Sequence, residues 1–341
     1  MTDRAAAIDG FLVAEGWGSA RRLPLAGDAS FRRYERLERD GLSAMLMDAP
    51  PEFEDLRPYV RIAEHLSALG FSAPRILARN LAEGLLIIED LGDETYTRSL
   101  TKGGDEAELY ALAVDVLIAL HRLPAATAMP KGLPLYDDDR LLTEARLLVD
   151  WYLPAIAAEE GIEGADDATK REYDRLWREV MPRAREVPDT LVLRDYHVDN
   201  LMWLPDREGV AACGLLDFQD AVAGPVSYDL ISLIEDARRD LPPGLADRML
   251  ARYLGAFPAL DREAFAASCA IMAAMRNAKI IGIFTRLNVR DGKPVYLAHI
   301  PRVWRLLERD LEHPVLAPVK AWFARHVPEP WRRAPGSGGP A

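Results

Sequence analysis

Three polar residues near the middle of the chain have the types and spacing of a site for metal-assisted chemistry. Asp195 and Asn200 lie close together, and Asp217 follows two apolar segments further on. Carboxylate and amide oxygens are the hard ligands that Mg²⁺ prefers, and the ion takes its other ligands from water and phosphates. A carboxylate on a loop can also accept a proton from an attacking hydroxyl. We therefore expect Asn200 and Asp217 to bind Mg²⁺ and Asp195 to face an incoming nucleophile, as in phosphoryl transfer.

A hairpin of two short strands would bring these residues together. Residues 201–204 and 211–216 are apolar and are separated by a polar turn. An antiparallel return places Asp217 beside Asn200. Asp195, on the loop before the hairpin, is then expected at the same end.

Short apolar runs separated by turn residues indicate a small sheet-rich lobe in the N-terminal part of the chain. Strands are predicted at 44–47 and 85–88, with a hairpin around 25–37. A single helix is expected from about 55 to 69, because its apolar residues recur at helical spacing and Gly70 can end it.

Beyond residue 93 the apolar period becomes that of helices, beginning with a long amphipathic helix that ends near His121. The predicted hairpin, preceded by a strand at 191–193, is the one strand region expected here. Further helices are predicted at 143–153, 169–180, 229–240, 245–257, 261–286 and 301–312. The second lobe is therefore expected to be mostly helical.

The chain, at 341 residues, is longer than one hydrophobic core usually organises, so two lobes are expected. The pattern predicts an α+β fold with a small N-lobe at 1–92, a hinge at 89–93 and a larger, mostly helical C-lobe at 93–327. Residues 328–341 have too little apolar periodicity to offset the entropy of ordering, so a disordered tail is predicted.

The loop around Asp195 resembles the catalytic loop of the aminoglycoside phosphotransferase family, which has a bilobal protein-kinase-like fold. The family's loop reads His-Gly-Asp-x-His-x-x-Asn, and residues 193–200 read Leu-Arg-Asp-Tyr-His-Val-Asp-Asn. The match covers Asp195, His197 and Asn200, whereas the first two positions depart. The resemblance covers most of the chain and implies an ATP-dependent phosphotransferase in which Asp195 is the catalytic residue.

Two further segments resemble the same family. The apolar strand that ends at Asp217 looks like the family's metal-binding segment, so Asn200 and Asp217 are implied to hold Mg²⁺ alongside ATP. Asp229 corresponds to a structural Asp at the start of a helix. The resemblance implies that residues 1–92 bind nucleotide and that residues 93–327 carry catalysis and acceptor binding.

The resemblance also implies an ATP site built from the hairpin, the neighbouring strand and the hinge. The hairpin should cover the phosphates, and the hinge should offer backbone groups to adenine. The ATP-binding residues implied in this way are Gly27, Ser30, Phe31, Arg32, Arg33, Met47, Glu89 and Leu91.

The strand where kinases place the lysine that pairs with the ATP phosphates has no lysine in this chain. Residues 44–48 read Ala-Met-Leu-Met-Asp, and the nearest lysine in sequence is Lys102. Bound phosphates would therefore need another cation. Arg32 and Arg33 lie on the second strand of the hairpin, and alternation along a strand aims only one of them inward. The alternative is that both face solvent.

Residues beside the predicted metal end and on one later helix are candidates for acceptor binding. They are Tyr196, His197, Asp199, Gln219, Asp220, Arg276 and Arg286. The alternative for His197 is a structural role, and Asp199 and Asp220 could instead only cap turns.

Three basic residues, Arg276, Lys279 and Arg286, fall close to one face of a predicted helix. A guanidinium there could pair with a carboxylate on the acceptor. The alternative is a solvated basic face bonded to nearby acidic residues.

Four segments, at 29–34, 47–51, 89–93 and 276–282, resemble one branch of the family. That branch contains the bacterial anomeric sugar kinases, which phosphorylate N-acetylmuramate and N-acetylglucosamine at C1 during peptidoglycan recycling. The resemblance implies such an amino-sugar acceptor. Aminoglycosides, choline and amino-alcohols remain open as acceptors, and the missing strand lysine leaves a catalytically silent nucleotide-binding scaffold as the alternative.

Composition argues against nucleic acid and membranes as partners. The 42 basic and 54 acidic residues give a net charge of −12, which repels phosphate backbones and anionic lipids. Cys213 and Cys269 are isolated in apolar segments, as in a reducing compartment. The longest apolar run, 269–275, is too short to span a bilayer. We therefore expect a cytoplasmic protein with a small-molecule substrate, and the sequence does not predict its oligomeric state.

Overall fold

A computed structural model describes residues 4–25 and 32–337, which belong to two compact units. Unit 1 and unit 2 are each discontinuous in sequence. Unit 1 is Met1–Ala119 with His197–Ala221, and unit 2 is Leu120–Tyr196 with Val222–Ala341.

The segment 197–221 belongs to unit 1 because its backbone pairs with that unit. The amide nitrogen of Leu215 donates to the carbonyl oxygen of Ser72 at 2.9 Å, and that of Trp203 donates to the carbonyl oxygen of Glu94 at 2.7 Å. Such non-local pairs are not visible in sequence periodicity. The compact units consequently differ from the single division after residue 92 that the sequence predicts.

Unit 1 is built on an antiparallel sheet of five strands, as the sequence predicts for the N-terminal part. The strands are β1 (Arg21–Pro24), β2 (Arg33–Arg39), β3 (Leu42–Asp48), β4 (Ile76–Asn80) and β5 (Leu85–Glu89). Their order is β1-β2-β3-β5-β4. Alternate residues such as Leu37, Ala44, Leu46 and Ile87 are fully buried on one face, which follows from the two-residue period of a strand. The predicted hairpin is therefore confirmed for β1 and β2, whereas its tip lies outside the described residues.

In the described part of unit 1, two helices precede residue 93, α1 (Arg4–Ala14) and α2 (Arg57–Ala68), where the sequence predicts one. They are followed by α3 (Tyr96–Thr101) and by the predicted long helix α4 (Glu106–His121), which continues into unit 2. The predicted α2 ends where Gly70 takes a left-handed φ of 87°. The unpredicted α1 buries Ile8, Phe11 and Leu12 against the sheet. Its short apolar stripe is interrupted by Gly10, which weakens the helical signal.

Unit 2 is mostly helical and carries one pair of strands. The strands β6 (Asp189–Val192) and β9 (Val222–Pro225) are antiparallel. The strands β7 (Leu201–Trp203) and β8 (Cys213–Leu215), which lie between them in sequence, belong to unit 1. The helices of unit 2 are α5 (Ala125–Ala128), α6 (Asp138–Ala145), α7 (Leu153–Glu160), α8 (Asp167–Val180), α9 (Tyr228–Ile234), α10 (Leu245–Ala256), α11 (Arg262–Asp291), α12 (Ile300–Asp310) and α13 (Ala317–His326).

Helix α11 forms the centre of the core of unit 2. It begins where the side chain of Asp261 accepts from two backbone amides, and it ends at Gly292, whose φ is 64°. By length and composition it could cross a membrane, but 83% of its most apolar window is buried inside the protein. A mostly buried apolar helix of this kind is a core helix. It is also longer than the predicted helix at 261–286.

Three other predictions for unit 2 need correction. The predicted helix at 143–153 is instead α6, a π-helical turn at Leu148–Tyr152 and α7, whose first turn tolerates Pro154. Helix α9 ends at Ile234, well before residue 240. Part of the tail predicted to be disordered is ordered: Glu329–Trp331 form a 3-10 turn, and Arg333 pairs with Glu159 of α7 at 2.7 Å.

Helix α11 packs directly on neighbouring backbone at Gly282. A Cβ atom there would lie 2.2 Å from the carbonyl carbon of Leu147. Because this backbone cannot move aside, we expect Gly282→Ala to lower the free energy of unfolding by about 1–3 kcal/mol. Gly255→Ala on α10 is the matched control, since its Cβ would meet nothing within 4 Å. Urea denaturation measures both variants, and equal midpoints would contradict the close contact.

Candidate active site

The predicted hairpin exists, and it places Asn200 and Asp217 at one end. Leu201 pairs with Leu215, and Trp203 pairs with Cys213. The amide nitrogen of Leu216 donates to the carbonyl oxygen of Asn200 at 2.9 Å, which continues the pairing one step beyond the strands. The strand register therefore explains why the two candidate metal ligands lie at the same end of the hairpin.

Asp217 lies at the strand end in a backbone conformation that side chains rarely adopt. Its φ is 56°, in the left-handed region. Its Oδ1 accepts a hydrogen bond from Arg32 Nη2 at 2.9 Å and another from Gln219 Nε2 at 3.0 Å. Strained residues of this kind persist where the surrounding structure holds them, often at functional sites.

Of the two candidate arginines, Arg32 is buried and Arg33 is exposed, as strand alternation requires. Arg32 Nη1 donates to Gln219 Oε1 at 2.8 Å, and Arg32 Nε lies 3.1 Å from Glu54 Oε1. The alternative that both arginines face solvent is therefore wrong for Arg32. Glu54, which no sequence pattern indicated, lies just before α2 and forms an ion pair with this guanidinium.

The charge of Arg32 is maintained despite its burial. Burial lowers the pKa of its guanidinium, but Tyr34, Asp217 and Glu54 outweigh that effect, and the net pKa is raised. Burial also raises the pKa of Glu54, partly opposed by Arg32 and reinforced by Asp220 and Asp217. The negative charges around Arg32 thus exceed its single positive charge.

The loop before the hairpin orients Asn200 through His197. The amide nitrogen of Asn200 donates to the carbonyl oxygen of His197 at 2.8 Å, and Asn200 Nδ2 lies 3.3 Å from His197 Nε2. With the side-chain nitrogen facing the imidazole, the side-chain oxygen of Asn200 is its candidate metal ligand. Asp199 accepts a hydrogen bond from the hydroxyl of Thr97. These contacts within unit 1 favour a structural role for His197 and tie Asp199 to α3.

The other residues assigned to ATP binding are distributed over the sheet and the hinge. Met47 is fully buried on β3. Glu89 uses its carboxylate for ion pairs with Arg207 at 2.8 Å and Arg75 at 3.2 Å, so its side chain has a structural role. Leu91 is half-buried after the end of β5. Gly27, Ser30 and Phe31 lie outside the described residues.

In unit 2, Asp229 fixes the start of the loop that carries Asp195. Its two carboxylate oxygens accept from the amide nitrogens of Leu193, at 2.6 Å, and Arg194, at 2.9 Å. Burial raises the pKa of Asp229 to about 7, although these two amides lower it. Arg194 has a left-handed φ of 71°, at the position where the family motif has glycine. The structural role implied for Asp229 thus has a clear geometric basis.

A buried cluster beside this loop was not predicted as such. Glu144 on α6 accepts from the guanidinium of Arg194 and the hydroxyl of Tyr136, and it pairs with Lys279 of α11 at 3.1 Å. Burial lowers the pKa of Lys279, but Tyr228, Glu144 and Asp195 are among the groups that raise it overall. A cavity of about 340 Å³ is lined partly by Tyr136, Glu144 and Arg194. The departure from glycine at position 194 and the basic residue Lys279 were the sequence signals for this cluster.

The three basic residues of α11 do not form one solvated face. Arg276 is buried and donates to the backbone carbonyl of Glu235 at 3.1 Å, while Lys279 contacts Glu144. Arg286 is half-buried, and its pKa is lowered by burial and by Arg290. A solvated basic face is therefore wrong for Arg276 and Lys279.

The remaining acceptor candidates differ in exposure. Tyr196, in unit 2, is buried, and Asp220, in unit 1, is exposed. Gln219 bridges Arg32 and Asp217, so its described contacts lie with the candidate metal ligand. Acceptor binding by these residues stays a prediction.

Substitution of Asp229 tests whether its hydrogen bonds with two backbone amides stabilise the loop that carries Asp195. Asp229→Asn would turn a side-chain NH₂ group toward one backbone N–H, so we expect a loss of about 1–3 kcal/mol in unfolding free energy at pH 8. The control is Asp261→Asn, because exposed Asp261 caps α11 through one oxygen that Asn retains. Chemical denaturation should show a loss for Asp229→Asn alone. Equal stability of both variants would show that the two amides do not depend on the carboxylate.

Comparison with known proteins gives consistent results. Residues 22–266 match the profile of a family described as the phosphotransferase enzyme family. An N-acetylmuramate/N-acetylglucosamine kinase from Caulobacter vibrioides is 40% identical over 97% of this chain and 99% of that protein. A kinase of the same name from Pseudomonas aeruginosa is 40% identical over 87% of this chain and 86% of its own length.

Among solved structures, the aminoglycoside phosphotransferase APH(2'')-Ib in its ADP-bound form is similar with a TM-score of 0.56. The identity is 15%, covering 87% of this chain and 94% of that one. At this identity the likeness shows the fold, and it confirms the kinase-like α+β fold expected from the sequence.

Proposed function

This chain belongs to the phosphotransferase enzyme family, and on that premise we propose that it transfers the γ-phosphate of ATP to the anomeric hydroxyl of N-acetylmuramate and N-acetylglucosamine. The observation that carries the proposal is the 40% identity to a kinase of these two sugars over nearly the full length of both chains. Such an activity would return amino sugars released from peptidoglycan to metabolism in the cytoplasm.

The chemistry of the acceptor suits a single carboxylate base. The ring oxygen withdraws electron density from the anomeric hydroxyl, which makes it more acidic than an ordinary alcohol. Asp195 is the proposed base, because a carboxylate within hydrogen-bond reach can accept this proton during phosphoryl transfer. The two amide bonds to Asp229 would keep its loop in one conformation.

The donor set of unit 1 fits Mg²⁺. One carboxylate and one amide oxygen at adjacent strand ends are hard ligands, and an ion with two protein ligands keeps positions for water and phosphates. The guanidinium of Arg32 already stands as a cation at Asp217. We propose that Asn200 and Asp217 would hold Mg²⁺, which would neutralise charge on the ATP phosphates.

Arg32 is the proposed substitute for the missing strand lysine. It is buried, charged and bonded to the candidate metal ligand, whereas Arg33 faces outward. A cation there would stabilise the charge that grows on the β- and γ-phosphates during transfer. Because a cation is present beside Asp217, the missing lysine is no longer an argument for a catalytically silent scaffold.

For the acceptor carboxylate of N-acetylmuramate, we propose Lys279 ahead of Arg276 and Arg286. Of these three, Lys279 interacts electrostatically with Asp195 and lies beside the cluster of Glu144 and Arg194. Glu144 balances part of the charge of Lys279. The carboxylate of the acceptor would therefore join an existing network of ion pairs.

The anomeric assignment predicts a difference between free sugars and their methyl glycosides. With ATP and Mg²⁺, N-acetylmuramate and N-acetylglucosamine should be phosphorylated, whereas the methyl glycosides have no anomeric hydroxyl and should be inert. Formation of ADP in a coupled assay measures both. Asp195→Ala is the control, with turnover expected to fall by about 10²–10⁴. Equal turnover of a sugar and its methyl glycoside would contradict the assignment.

The proposed division of roles predicts different losses in two variants. Asp217→Asn should abolish turnover and weaken Mg²⁺-dependent ATP binding, because the metal loses its carboxylate ligand. Asp195→Asn should abolish turnover and leave ATP affinity unchanged, since its proposed partner is the acceptor hydroxyl. Calorimetric titration with ATP and Mg²⁺ distinguishes them. Equal loss of ATP affinity in both variants would refute this division.

A further inference from the structure

Arg32 contacts three side chains, one of which is the proposed metal ligand Asp217. Its Nη2 bonds Asp217 Oδ1 at 2.9 Å, its Nη1 bonds Gln219 Oε1 at 2.8 Å, and its Nε lies 3.1 Å from Glu54 Oε1. Asp217 is also the proposed metal ligand. A guanidinium and a divalent cation at one carboxylate oxygen repel each other strongly in a site of low effective dielectric. Binding of the metal at Asp217 would therefore weaken the bond between Arg32 and this carboxylate.

The charges around Arg32 fit such an exchange. The carboxylate of Glu54 interacts electrostatically with Asp217 and with Asp220, and Arg32 is paired with Glu54 and Asp217. Three carboxylates and one guanidinium leave two negative charges, the amount that one divalent cation neutralises. The cluster therefore keeps a net negative charge even with Arg32 in place. This charge favours metal binding, provided that Arg32 moves away from Asp217 and stays within the cluster.

Glu54 provides the ion pair that allows this movement. Its Oε1 lies 3.1 Å from Nε, at the stem side of the guanidinium, while the two terminal nitrogens donate hydrogen bonds to Asp217 and Gln219. Release of Nη2 from Asp217 and of Nη1 from Gln219 would leave the Glu54 ion pair intact. The terminal nitrogens would then be the donors presented to phosphate oxygens, for which the planar guanidinium is well suited.

We propose that Arg32 is an exchangeable counter-ion, which neutralises Asp217 before the metal–nucleotide complex binds and moves from Asp217 to the phosphates when it does, with Glu54 as its positioning residue. The inference rests on the proposed function for the presence of Mg²⁺ and ATP. Its specific content is that Arg32 opposes binding of the metal alone and supports binding of nucleotide. These effects have opposite signs, which a merely structural arginine would not produce.

The test measures binding of Mn²⁺ to nucleotide-free protein, from the electron paramagnetic resonance signal of the free ion. Arg32→Gln should bind Mn²⁺ about threefold to tenfold more tightly than the wild type, because the competing cation is gone. Arg33→Gln is the matched control and should equal the wild type, since Arg33 is the exposed neighbour of Arg32 in the sequence. In calorimetry with Mn²⁺ present, Arg32→Gln should bind ADP more weakly.

A second variant tests Glu54 and protects the test against misfolding of the first. Glu54→Gln should bind Mn²⁺ about threefold to tenfold more weakly, because the cluster loses one negative charge and Asp217 keeps a stronger hold on Arg32. Unchanged or weaker Mn²⁺ binding by Arg32→Gln, or unchanged binding by Glu54→Gln, would overturn the proposal. Mn²⁺ binding that is insensitive to Asp217→Asn would also overturn it. Phosphorylation of the sugars is measured separately, so such results would leave the kinase assignment standing.

Discussion

The antiparallel pairing of β7 with β8 is the constraint on which the candidate site in unit 1 depends. Its register brings Asn200 next to Leu216, so Asp217 follows at the same strand end. The hairpin is itself fixed to unit 1 through the backbone of Ser72 and Glu94. A slip of one residue would turn every side chain of a strand to the opposite face. Backbone hydrogen bonds therefore determine the position of the site, independently of its side-chain contacts.

Buried ion pairs then set the electrostatics of each unit separately. In unit 1, Arg32 offsets part of the negative charge at Asp217 and Glu54. In unit 2, Asp229 holds the amides of the loop before Asp195, and Glu144 balances Arg194 and Lys279. Each buried charge has an opposite charge or hydrogen-bond donors close by, as burial requires. The chemistry proposed here uses those same charges.

Patterns of apolar and turn residues predicted the elements whose formation depends mainly on residues nearby in the sequence. The hairpin, α2 and the long α11 all follow from apolar periods and turn residues. Strand β9 was missed because Gly224 and Pro225 weaken its signal and its partner β6 is distant in the sequence. Alternation predicted that one of Arg32 and Arg33 faces inward, but the choice depends on a contact with Asp217 across 185 positions. The roles of Glu54, Glu144 and Lys279 likewise arise from tertiary contacts that no local pattern contains.

The proposed reaction transfers phosphate to the oxygen on C1 of an amino sugar. Proton–phosphorus correlation NMR of the product formed from N-acetylglucosamine, ATP and Mg²⁺ identifies the esterified carbon directly. We expect a correlation between the phosphorus nucleus and the anomeric proton, because the two are joined through the C1 oxygen. A correlation to the protons on C6, with none to the anomeric proton, would contradict it.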